Sequence, residues 1–511
     1  MITLRSFVCA DWHTGVGTPT PLYNPTTEEV LAETGSDGID YGDVLSHARE
    51  KGLPGLQALG FSGRATMLKG LSAAVHEHRE ELIELAISNG GNTRGHAKFD
   101  IDGAIGTLAA YASYGKELGD GNVLPDGEGV QLGRTARFWG QHVRVPRQGV
   151  AVHINAFNFP SWGMGEKMAC ALLAGVPVIE KPGTPSALLA WRMAEIFVQG
   201  GLLPEGSFQF IAGRTGDLLD RLGPQDALAF TGSSGTGASF RSNPNLLAQA
   251  VRVNIEADSL NAAILAPDVD ASSDTYGAFL DNVVRDMTQK AGQKCTAVRR
   301  IMVPADRVAD VSRDLAEGLA RIVVGDPAER ETRMGPLASR RQLEDVRTGI
   351  GNLQTAAELV CGGADPIRDK GYFVAPTLLV ASDGHADALH AEEVFGPVAT
   401  ILPYSGDAAE AIQLANRGAG GLVASLYSND KDWTEAVILG ISPWTGRIWI
   451  GSDRVVEQSF PPGAVLPQMI HGGPGRAGAG EELGGLRGLE FYTQRTALQG
   501  FQGHLKAAYG S

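Results

Sequence analysis

The chain has 511 residues, of which 43% are apolar and 20% charged, an ordinary globular mixture that suggests about two to four domains. The net charge is −15 and no basic block occurs, which argues against nucleic acid and anionic membranes as partners. Four cysteines form no metal or disulfide pattern and favour a reducing cytoplasm. No apolar stretch of roughly 18 residues predicts a membrane span, and the first residues predict no signal peptide.

Between about residues 149 and 257, strand and helix patterns alternate, which predicts a parallel α/β sheet with right-handed crossovers. The first predicted helix ends at Gly175, and the second begins at Ser186 as its N-cap. Such sheets bind ligands beyond the carboxyl ends of their strands. The five predicted strands are "GVAVHINAF", "VPVIEKPG", "SFQFIAG", "DALAFTG" and "AVRVNIEA".

Polar residues follow three of these strands. Thr231–Gly237, "TGSSGTG", suits a phosphate-binding turn, although a flexible turn explains the same letters. Lys181 in "EKPGT" is either a ribose-binding lysine or a surface lysine, and its neighbour Glu180 should point to the opposite face of the sheet. In "NAFNFPSW", Asn155 and Asn158 are candidate oxyanion donors or ordinary turn formers.

Cys295 lies in "QKAGQKCTAVRR", a polar, glycine-broken segment unlike the apolar run expected around a buried cysteine. A thiolate is a strong nucleophile toward carbonyl carbon, and we expect Lys294 and the preceding helix to lower the pKa of Cys295. Glu256 ends the fifth predicted strand and is a candidate base. His153 lies in a strand, where a structural role is expected, so no cysteine–histidine protease pair is predicted.

Together, a thiol, a carboxylate, an amide donor and a dinucleotide-binding turn suit oxidation of an aldehyde through a thiohemiacetal and a thioester. Nearly the whole chain resembles the aldehyde dehydrogenase superfamily. The resemblance implies that Cys295 is the nucleophile, Glu256 the base and Asn158 the oxyanion donor. It rests on "FNFP", "EKPGT", "FTGSSGTG", "IEADS", "GQKCT" and "EEVFGPV", in that order.

The same resemblance implies further site residues. Lys167 and Glu482 match a lysine and its acidic partner in a proton-relay shell. No metal is expected. The residues that match the family's cofactor site are Lys181, Gly232, Ser233, Gly237, Glu393 and Phe395.

Two motifs depart from the common family pattern. "ADSLN" replaces the usual "LGG" after the base, and "HGG" at His471 to Gly473 replaces "FGG". These variants resemble a branch that oxidises semialdehydes carrying a coenzyme A thioester, in phenylacetate or in coenzyme A-linked benzoate degradation. The phenylacetate relative usually carries a further hydratase domain, so ring opening is not assigned to this chain. The phenylacetate-route substrate is our first expectation, with 3,4-dehydroadipyl-CoA semialdehyde or a general aldehyde as alternatives.

Thr184 stands three positions after Lys181, where many NAD-preferring members have a carboxylate. Without that charge, Lys181 and Thr184 would tolerate a 2′-phosphate, so we predict NADP as the cofactor, with NAD possible. A coenzyme A-acylating dehydrogenase is an alternative class, but such enzymes generally lack the base glutamate, so the presence of Glu256 argues against it. A non-catalytic NADP-binding or structural protein on this fold would not need the intact trio Asn158, Glu256 and Cys295. Glu166 in the expected tunnel wall suits a polar substrate better than a plain alkanal.

The resemblance implies an α/β aldehyde dehydrogenase fold. A Rossmann-like cofactor domain would span 1–125 and 148–256, and an α/β catalytic domain 257–455. A small β oligomerisation flap would span 126–147, with the C-terminal segment 456–511. "ARFWGQHVRVPR" and "LEFYTQRTALQG" alternate like strands, with Trp139 and Val143 on one face, and a hydrophobic strand edge invites pairing. We therefore expect a homodimer or a dimer-based oligomer.

Overall fold

A computed structural model describes residues 1–510. The strands are β1 Ile2–Leu4, β2 Ser6–Val8, β3 Asp11–His13, β4 Thr20–Tyr23, β5 Val30–Thr34, β6 Leu124–Pro125, β7 Val130–Gln131, β8 Phe138–Pro146, β9 Ala151–Ile154, β10 Val178–Lys181, β11 Phe208–Phe210, β12 Ala227–Thr231, β13 Arg252–Glu256, β14 Ala262–Leu265, β15 Arg300–Pro304, β16 Ala357–Cys361, β17 Thr377–Ala381, β18 Val398–Tyr404, β19 Gly421–Tyr427, β20 Thr445–Gly451 and β21 Thr493–Phe501.

The helices alternate with these strands through most of the chain. They are α1 Tyr41–His47, α2 Leu53–Glu77, α3 Arg79–Gly90, α4 Arg94–Leu118, α5 Trp162–Ala174, α6 Ala187–Gly200, α7 Ser234–Arg241, α8 Pro244–Ala248, α9 Asp274–Thr288, α10 Val308–Ala320, α11 Arg340–Leu353, α12 Ala408–Asn416, α13 Lys431–Ile441, α14 Leu489–Tyr492 and α15 Gln502–Tyr509. Among the described residues, no helix is long and apolar enough to cross a membrane.

The first large sheet has the strand order β13-β12-β9-β10-β11-β2-β3. Its first five strands are parallel and are the five that the alternating pattern predicts. The chain runs outward from β9 to β11 and then returns to β12 on the other side of β9. The sheet therefore has a switch point between β9 and β12, where ligands bind in parallel sheets.

Helices α5 and α6 connect the central strands, and their ends were predictable. Gly175 and Gly201 both cap helices in the left-handed conformation, with φ of 88° and 60°. Ser186 is the N-cap of α6, as predicted, but its side chain makes no hydrogen bond to the first turn of the helix. Its hydroxyl instead donates to the carbonyl of Phe157 and thereby ties this turn to the segment after β9.

The first sheet is buried on both faces because its strand residues alternate between two apolar clusters. On one face, residues such as Ala151, Val178 and Ala229 pack with α2, α4, α5 and α6. On the other, Val152, Ile179 and other strand residues pack against residues of α1. Fully burying such a side chain contributes roughly 1.5–3 kcal/mol, so the sheet gives the strand ends a rigid support.

The second large sheet has the order β16-β17-β18-β15-β14-β19-β20 and is parallel except for β16. All its strands lie within the predicted catalytic range 257–455. A separate sheet pairs β8 with β21 in antiparallel register from Thr493–Pro146 to Phe501–Phe138, and it also contains β6 and β7. The N-terminal strands β1, β5 and β4 form a fourth, small sheet.

Candidate active site

Two cavities meet at Cys295. The larger, of about 860 Å³, lies beyond the carboxyl ends of β9, β10 and β12, and the smaller, of about 50 Å³, lies beside Phe99 and Trp162. Asn158, Glu256 and Cys295 line both cavities, as do Ala156 and Thr231. The three residues predicted to carry the chemistry therefore stand in the wall between two binding spaces.

The segment before Cys295 has an unusual backbone. After α9, the consecutive residues Lys290, Ala291 and Gly292 have φ values of 54°, 53° and 67°, in the left-handed region. The segment after it is held by Asn261, whose amide donates to the carbonyl oxygens of Cys295 at 2.7 Å and Ala297 at 2.8 Å. The departure "ADSLN" thus places a side chain that fixes the backbone of the thiol.

The expectation that Lys294 lowers the pKa of Cys295 was wrong. Lys294 is buried, and its amine donates to Asp286 at 2.8 Å and to Gln289 at 2.9 Å. Its charge is therefore paired with Asp286 and not with the thiol. Burial raises the pKa of Cys295 well above its ordinary value, and the charges of Glu256 and Glu166 raise it further. The resting thiol is consequently protonated at neutral pH.

Glu256 ends β13, and its carboxylate faces Cys295 and His471. The Cys295 sulfur, a Glu256 oxygen and a His471 ring nitrogen all lie within 4.8 Å of one another. Burial raises the pKa of Glu256, but His471 and then Lys167 outweigh it and lower the pKa to about 2. Glu256 is thus ionised across the pH range in which proteins work and is able to accept a proton.

The two asparagines of "NAFNFPSW" have different surroundings. Asn155 donates to Glu180 at 2.9 Å, and Glu180 also bonds the ring of His153 at 2.5 Å, inside the sheet. Glu180 therefore points away from the larger cavity, and His153 is structural, as predicted. Asn158 instead borders both cavities, where its amide donates to the carbonyl of Gln293 at 3.0 Å.

The larger cavity suits a dinucleotide. Lys181 lines it, and burial lowers the pKa of this lysine to about 8, with no carboxylate of residues 1–510 opposing the effect. An unpaired amine of this kind fits an anionic group. Gly183 lies so close to the segment after β9 that a Cβ would stand 2.5 Å from the backbone nitrogen of Phe157. Because this turn packs closely on the segment after β9, the space beyond the end of β10 stays open to the larger cavity, which Gly183 also lines.

Of the predicted phosphate turn, Gly232 and Ser233 line the larger cavity, and Ser233 is the N-cap of α7. Two of the first N–H groups of this helix are already used, because that of Ser234 donates to Asp258 at 3.1 Å and that of Thr236 donates to the Ser233 hydroxyl at 3.4 Å. Gly237 does not line it. A Cβ on Gly237 would stand 2.9 Å from Ile255, so this glycine allows α7 to pack on β13. Thr184 is also absent from the lining, although Gly183 and Pro185 on either side belong to it.

Glu393 and Phe395 line the larger cavity near Cys295. Arg299, which sequence reasoning missed, holds both of them. Its guanidinium lies 3.0 Å from Glu393 and 5.4 Å from the centre of the Phe395 ring. Burial raises the pKa of Glu393, and Arg299 opposes that rise. Arg299 also donates to the carbonyls of Gly396 and Gly292, which joins this wall to the thiol loop.

Lys167 is buried beside the smaller cavity, but the structure does not pair it with Glu482. The nearest carboxylate to its amine is that of Glu166, at 3.6 Å, and Glu166 also lines this cavity as predicted. Glu482 accepts a hydrogen bond of 3.1 Å from the backbone N–H of Ile470. It therefore supports the segment that carries His471 and has no ion pair with Lys167 among residues 1–510.

His471 is the residue that sequence reasoning missed most clearly. It is only 5% exposed, and its Nε2 lies 3.6 Å from Oε2 of Glu256. The signal was present as the departure "HGG", but nothing in the sequence places residue 471 beside residues 256 and 295. Loop 452–488 brings it there from the end of the second sheet.

A nucleophile and a base placed between a nucleotide-sized cavity and a narrow second space define an oxidoreductase that acts on an aldehyde group. A profile described as the Aldehyde dehydrogenase family matches residues 12–498. The chain belongs to this family, whose members use NAD or NADP.

Individual relatives agree with this assignment. The chain is 43% identical over 482 residues to the 3,4-dehydroadipyl-CoA semialdehyde dehydrogenase of Aromatoleum evansii, covering 92% of this chain and 93% of the relative. It is 31% identical over 489 residues to the phenylacetaldehyde dehydrogenase of Pseudomonas fluorescens, with 93% and 91% covered. The crystal structure of lactaldehyde dehydrogenase from Escherichia coli is similar with a TM-score of 0.85 at 25% identity, covering 98% and 99%.

Proposed function

We propose that the protein oxidises a coenzyme A-linked semialdehyde to the carboxylic acid, with NADP preferred, in the degradation of an aromatic compound. The phenylacetate route was the first expectation from the sequence. The name of the 43% identical relative supports the alternative, 3,4-dehydroadipyl-CoA semialdehyde. The two substrates share an aldehyde at one end and a coenzyme A thioester at the other, and this shared chemistry is the core of the proposal.

The observation that carries the proposal is the position of Cys295, with Glu256 and Asn158, in the wall between the two cavities. An aldehyde in the smaller cavity meets the thiol from one side, while the larger cavity reaches the same sulfur from the other. Cys295 adds to the carbonyl carbon, its proton leaves to Glu256 or to water, and the Asn158 amide stabilises the oxygen. A bound nicotinamide dinucleotide would supply the hydride acceptor that turns this adduct into a thioester.

Glu256 then serves the second half of the reaction. Its ionised carboxylate takes a proton from a water molecule as the oxygen bonds to the thioester carbon. The tetrahedral adduct collapses as its C–S bond breaks, the acid leaves, and the Cys295 sulfur takes up the proton that Glu256 gained from water. A coenzyme A-acylating enzyme releases the acyl group to a thiol and has no need of this base, so the placement of Glu256 favours hydrolysis.

NADP is proposed because no carboxylate opposes a 2′-phosphate near Lys181. Glu180 is turned into the sheet towards His153, and Thr184 carries no charge. Lys181, Ser233 and Glu393 would hold the cofactor at three places along the larger cavity. On the substrate side, Glu166 gives the smaller cavity a polar group among aromatic residues, which suits a functionalised chain better than a plain alkyl chain.

We also propose a dimer that assembles through the flap. Strand β21 pairs with β8 on one side, and its other edge has no strand partner among residues 1–510; most of its nine residues are exposed. Exposed aromatic side chains stand at the end of this pair, with Phe138 47% and Phe501 59% accessible. A free strand edge with apolar neighbours is a surface that another chain readily covers.

The function is tested by following NADPH formation with 3,4-dehydroadipyl-CoA semialdehyde and, in parallel, with a linear alkanal of similar length. The wild type should turn over both aldehydes, with a higher kcat/KM for the coenzyme A-linked one. Cys295→Ala should form no NADPH. Glu256→Gln should give one burst of NADPH per active site and then stall, because the thioester forms but is not hydrolysed.

Cys170→Ala is the matched control, because this buried cysteine lies in α5 and lines neither cavity. It should retain the wild-type rate. If Cys295→Ala were as active as Cys170→Ala, covalent catalysis by Cys295 would be excluded. If the alkanal were the better substrate, the coenzyme A-linked specificity would be wrong while the aldehyde chemistry remained.

A further inference from the structure

His471 is placed where it acts on the base and not on the aldehyde directly. It lines the smaller cavity and also an adjoining pocket that shares Glu256 with it, and its Nε2 is 3.6 Å from Glu256. That separation allows charge attraction but is too long for a good hydrogen bond. Its Nδ1 is buried and has no hydrogen-bond partner in residues 1–510. The ring therefore has one nitrogen directed at Glu256 and one that is uncommitted.

The backbone around His471 leaves little freedom to move the ring. The preceding N–H of Ile470 is held by Glu482 at 3.1 Å, and the N–H of Gly473 bonds the carbonyl of Gly480 at 3.0 Å. The carbonyl oxygen of Gly472 lies so close to Gly446 that a Cβ on Gly446 would stand 1.8 Å from this oxygen. A side chain carried by such a segment keeps its position relative to the strand it faces.

The charges around Glu256 explain why a ring is needed there. Cys295, Glu166 and Lys167 line the same small cavity, and Glu481 lines the pocket behind it. Lys167 is a cation that lines this cavity, but its amine lies 3.6 Å from Glu166 and is shared with that carboxylate. A carboxylate buried in this group would hold its proton unless a further positive or proton-donating group faced it, and a protonated carboxyl cannot accept a proton from water.

We propose that His471 is a positioning residue that keeps Glu256 ionised and directed at Cys295, so that the thioester is hydrolysed. This inference rests on the proposed function and adds a fourth group to it. The step it assists is the second one, in which water loses a proton to Glu256 and the acid leaves. Formation of the thioester depends less on an ionised Glu256 than its hydrolysis does. Loss of the His471 ring should therefore slow hydrolysis more than thioester formation.

The test uses the full-length protein with two substitutions. His471→Phe introduces the residue that the common family motif "FGG" has at this position. His471→Gln keeps a polar side chain without a titratable ring. The assay is NADPH formation with 3,4-dehydroadipyl-CoA semialdehyde. Both variants should keep the burst of about one NADPH per site. Their steady-state kcat at neutral pH should fall about 10–100-fold, at the lower end of the effects typical for groups that assist proton transfer.

The pH profile separates this role from a merely structural one. In the wild type the pKa of Glu256 is lowered to about 2, so its protonation does not limit kcat near neutrality. Without His471 the largest of the effects that oppose burial is lost, so the pKa of Glu256 rises. The acid side of the kcat profile should therefore move to higher pH in both variants, and raising the pH should restore part of the lost rate.

His385→Phe is the matched control, because His385 also pairs with a carboxylate, Glu410 at 3.0 Å, but lies in a loop that lines neither cavity. It should leave burst, kcat and pH profile unchanged. A chelator belongs in every assay, because a thiol, a carboxylate and an imidazole at this spacing are also ligand types for zinc.

Two results would overturn the inference: wild-type kcat and pH profile in His471→Gln, or loss of the burst together with turnover in a folded variant. Should His471→Phe not fold, His471→Gln alone decides. Failure of the underlying function is recognised separately, by an active Cys295→Ala or a Glu256→Gln without a burst. If those two variants behave as expected and His471→Gln equals the wild type, only the role of His471 is wrong.

Discussion

At the scale of single residues, the site combines a thiol whose pKa is raised and a carboxylate whose pKa is lowered. Cys295 is therefore protonated at rest while Glu256 is ionised. The polar segment around Cys295 marked this thiol as unusual, and the roles and order of the site residues were predictable from the motifs that resemble the aldehyde dehydrogenase superfamily. The neighbours were not. Lys294, adjacent in sequence, faces Asp286, whereas His471, 176 positions away from Cys295, faces Glu256.

Cofactor preference is also decided at single residues. Thr184→Asp should place a carboxylate close to Lys181, where it competes for the amine and repels a 2′-phosphate. We expect the ratio of kcat/KM for NADP to that for NAD to fall about tenfold or more, which corresponds to about 1.4 kcal/mol. Initial rates with both cofactors and one aldehyde measure this ratio.

Thr184→Val is the matched control for the same position, because it removes the hydroxyl without adding a charge. It should lower the ratio less than Thr184→Asp does. Thr184 does not line the larger cavity, although its neighbours do. An unchanged ratio in Thr184→Asp would therefore mean that position 184 does not sense the 2′-phosphate, and the preference would have to depend on Lys181.

At the scale of elements, the parallel sheet was predictable because each strand and helix is marked by local patterns and glycine caps. The loop that carries Cys295 was not, because its shape depends on contacts made across the molecule. Arg299 binds the carbonyls of Gly292 and Gly396 at 3.0 and 2.8 Å, and Asn261 binds that of Cys295. Side chains at the start of β15 and β14 thus shape a turn that no local rule specifies.

Gly292→Ala tests how strictly this loop is shaped. Gly292 has a φ of +67°, and an added Cβ would stand 2.2 Å from the carbonyl oxygen of Gly396. The backbone must shift, which should lower the free energy of unfolding by about 1–3 kcal/mol and reduce kcat as the Arg299 clamp is displaced. Denaturant unfolding and steady-state rates measure the two effects.

Gly277→Ala is the control for that substitution. Gly277 lies inside α9, in the helix that precedes the same loop, and a Cβ there meets nothing within 4 Å. It should leave kcat unchanged and stabilise the fold by about 0.5–1 kcal/mol, since alanine favours a helix over glycine. Equal behaviour of the two variants would show that the loop tolerates a Cβ and that its backbone is not fixed by Gly396.

At the scale of the whole molecule, the two large sheets place the site between them. Glu256 and Asn158 come from the first sheet, Cys295 and Glu393 from segments of the second, and His471 from the loop before the flap strand. The flap itself lies apart from the cavities. Arg144 of β8 and Arg495 of β21 both pair with Asp126 and Glu490, which ties the two strands together through shared carboxylates.

Proline at Thr496 or Ala497 tests assembly through β21. Successive N–H groups of a strand point to opposite edges, so one of these two prolines removes a donor toward β8 and the other removes one from the free edge. The first should loosen the flap and lower the Tm. The second should leave the Tm of the protomer largely intact and shift the sedimentation coefficient from dimer towards monomer, because proline blocks the edge that a second chain would cover. Each variant is thus the control for the other.

Two results would exclude the free edge of β21 as the interface: a wild type that sediments as a monomer at micromolar concentration, or two proline variants that both remain dimers. The next edge to test would then be β20, the outer strand of the second sheet.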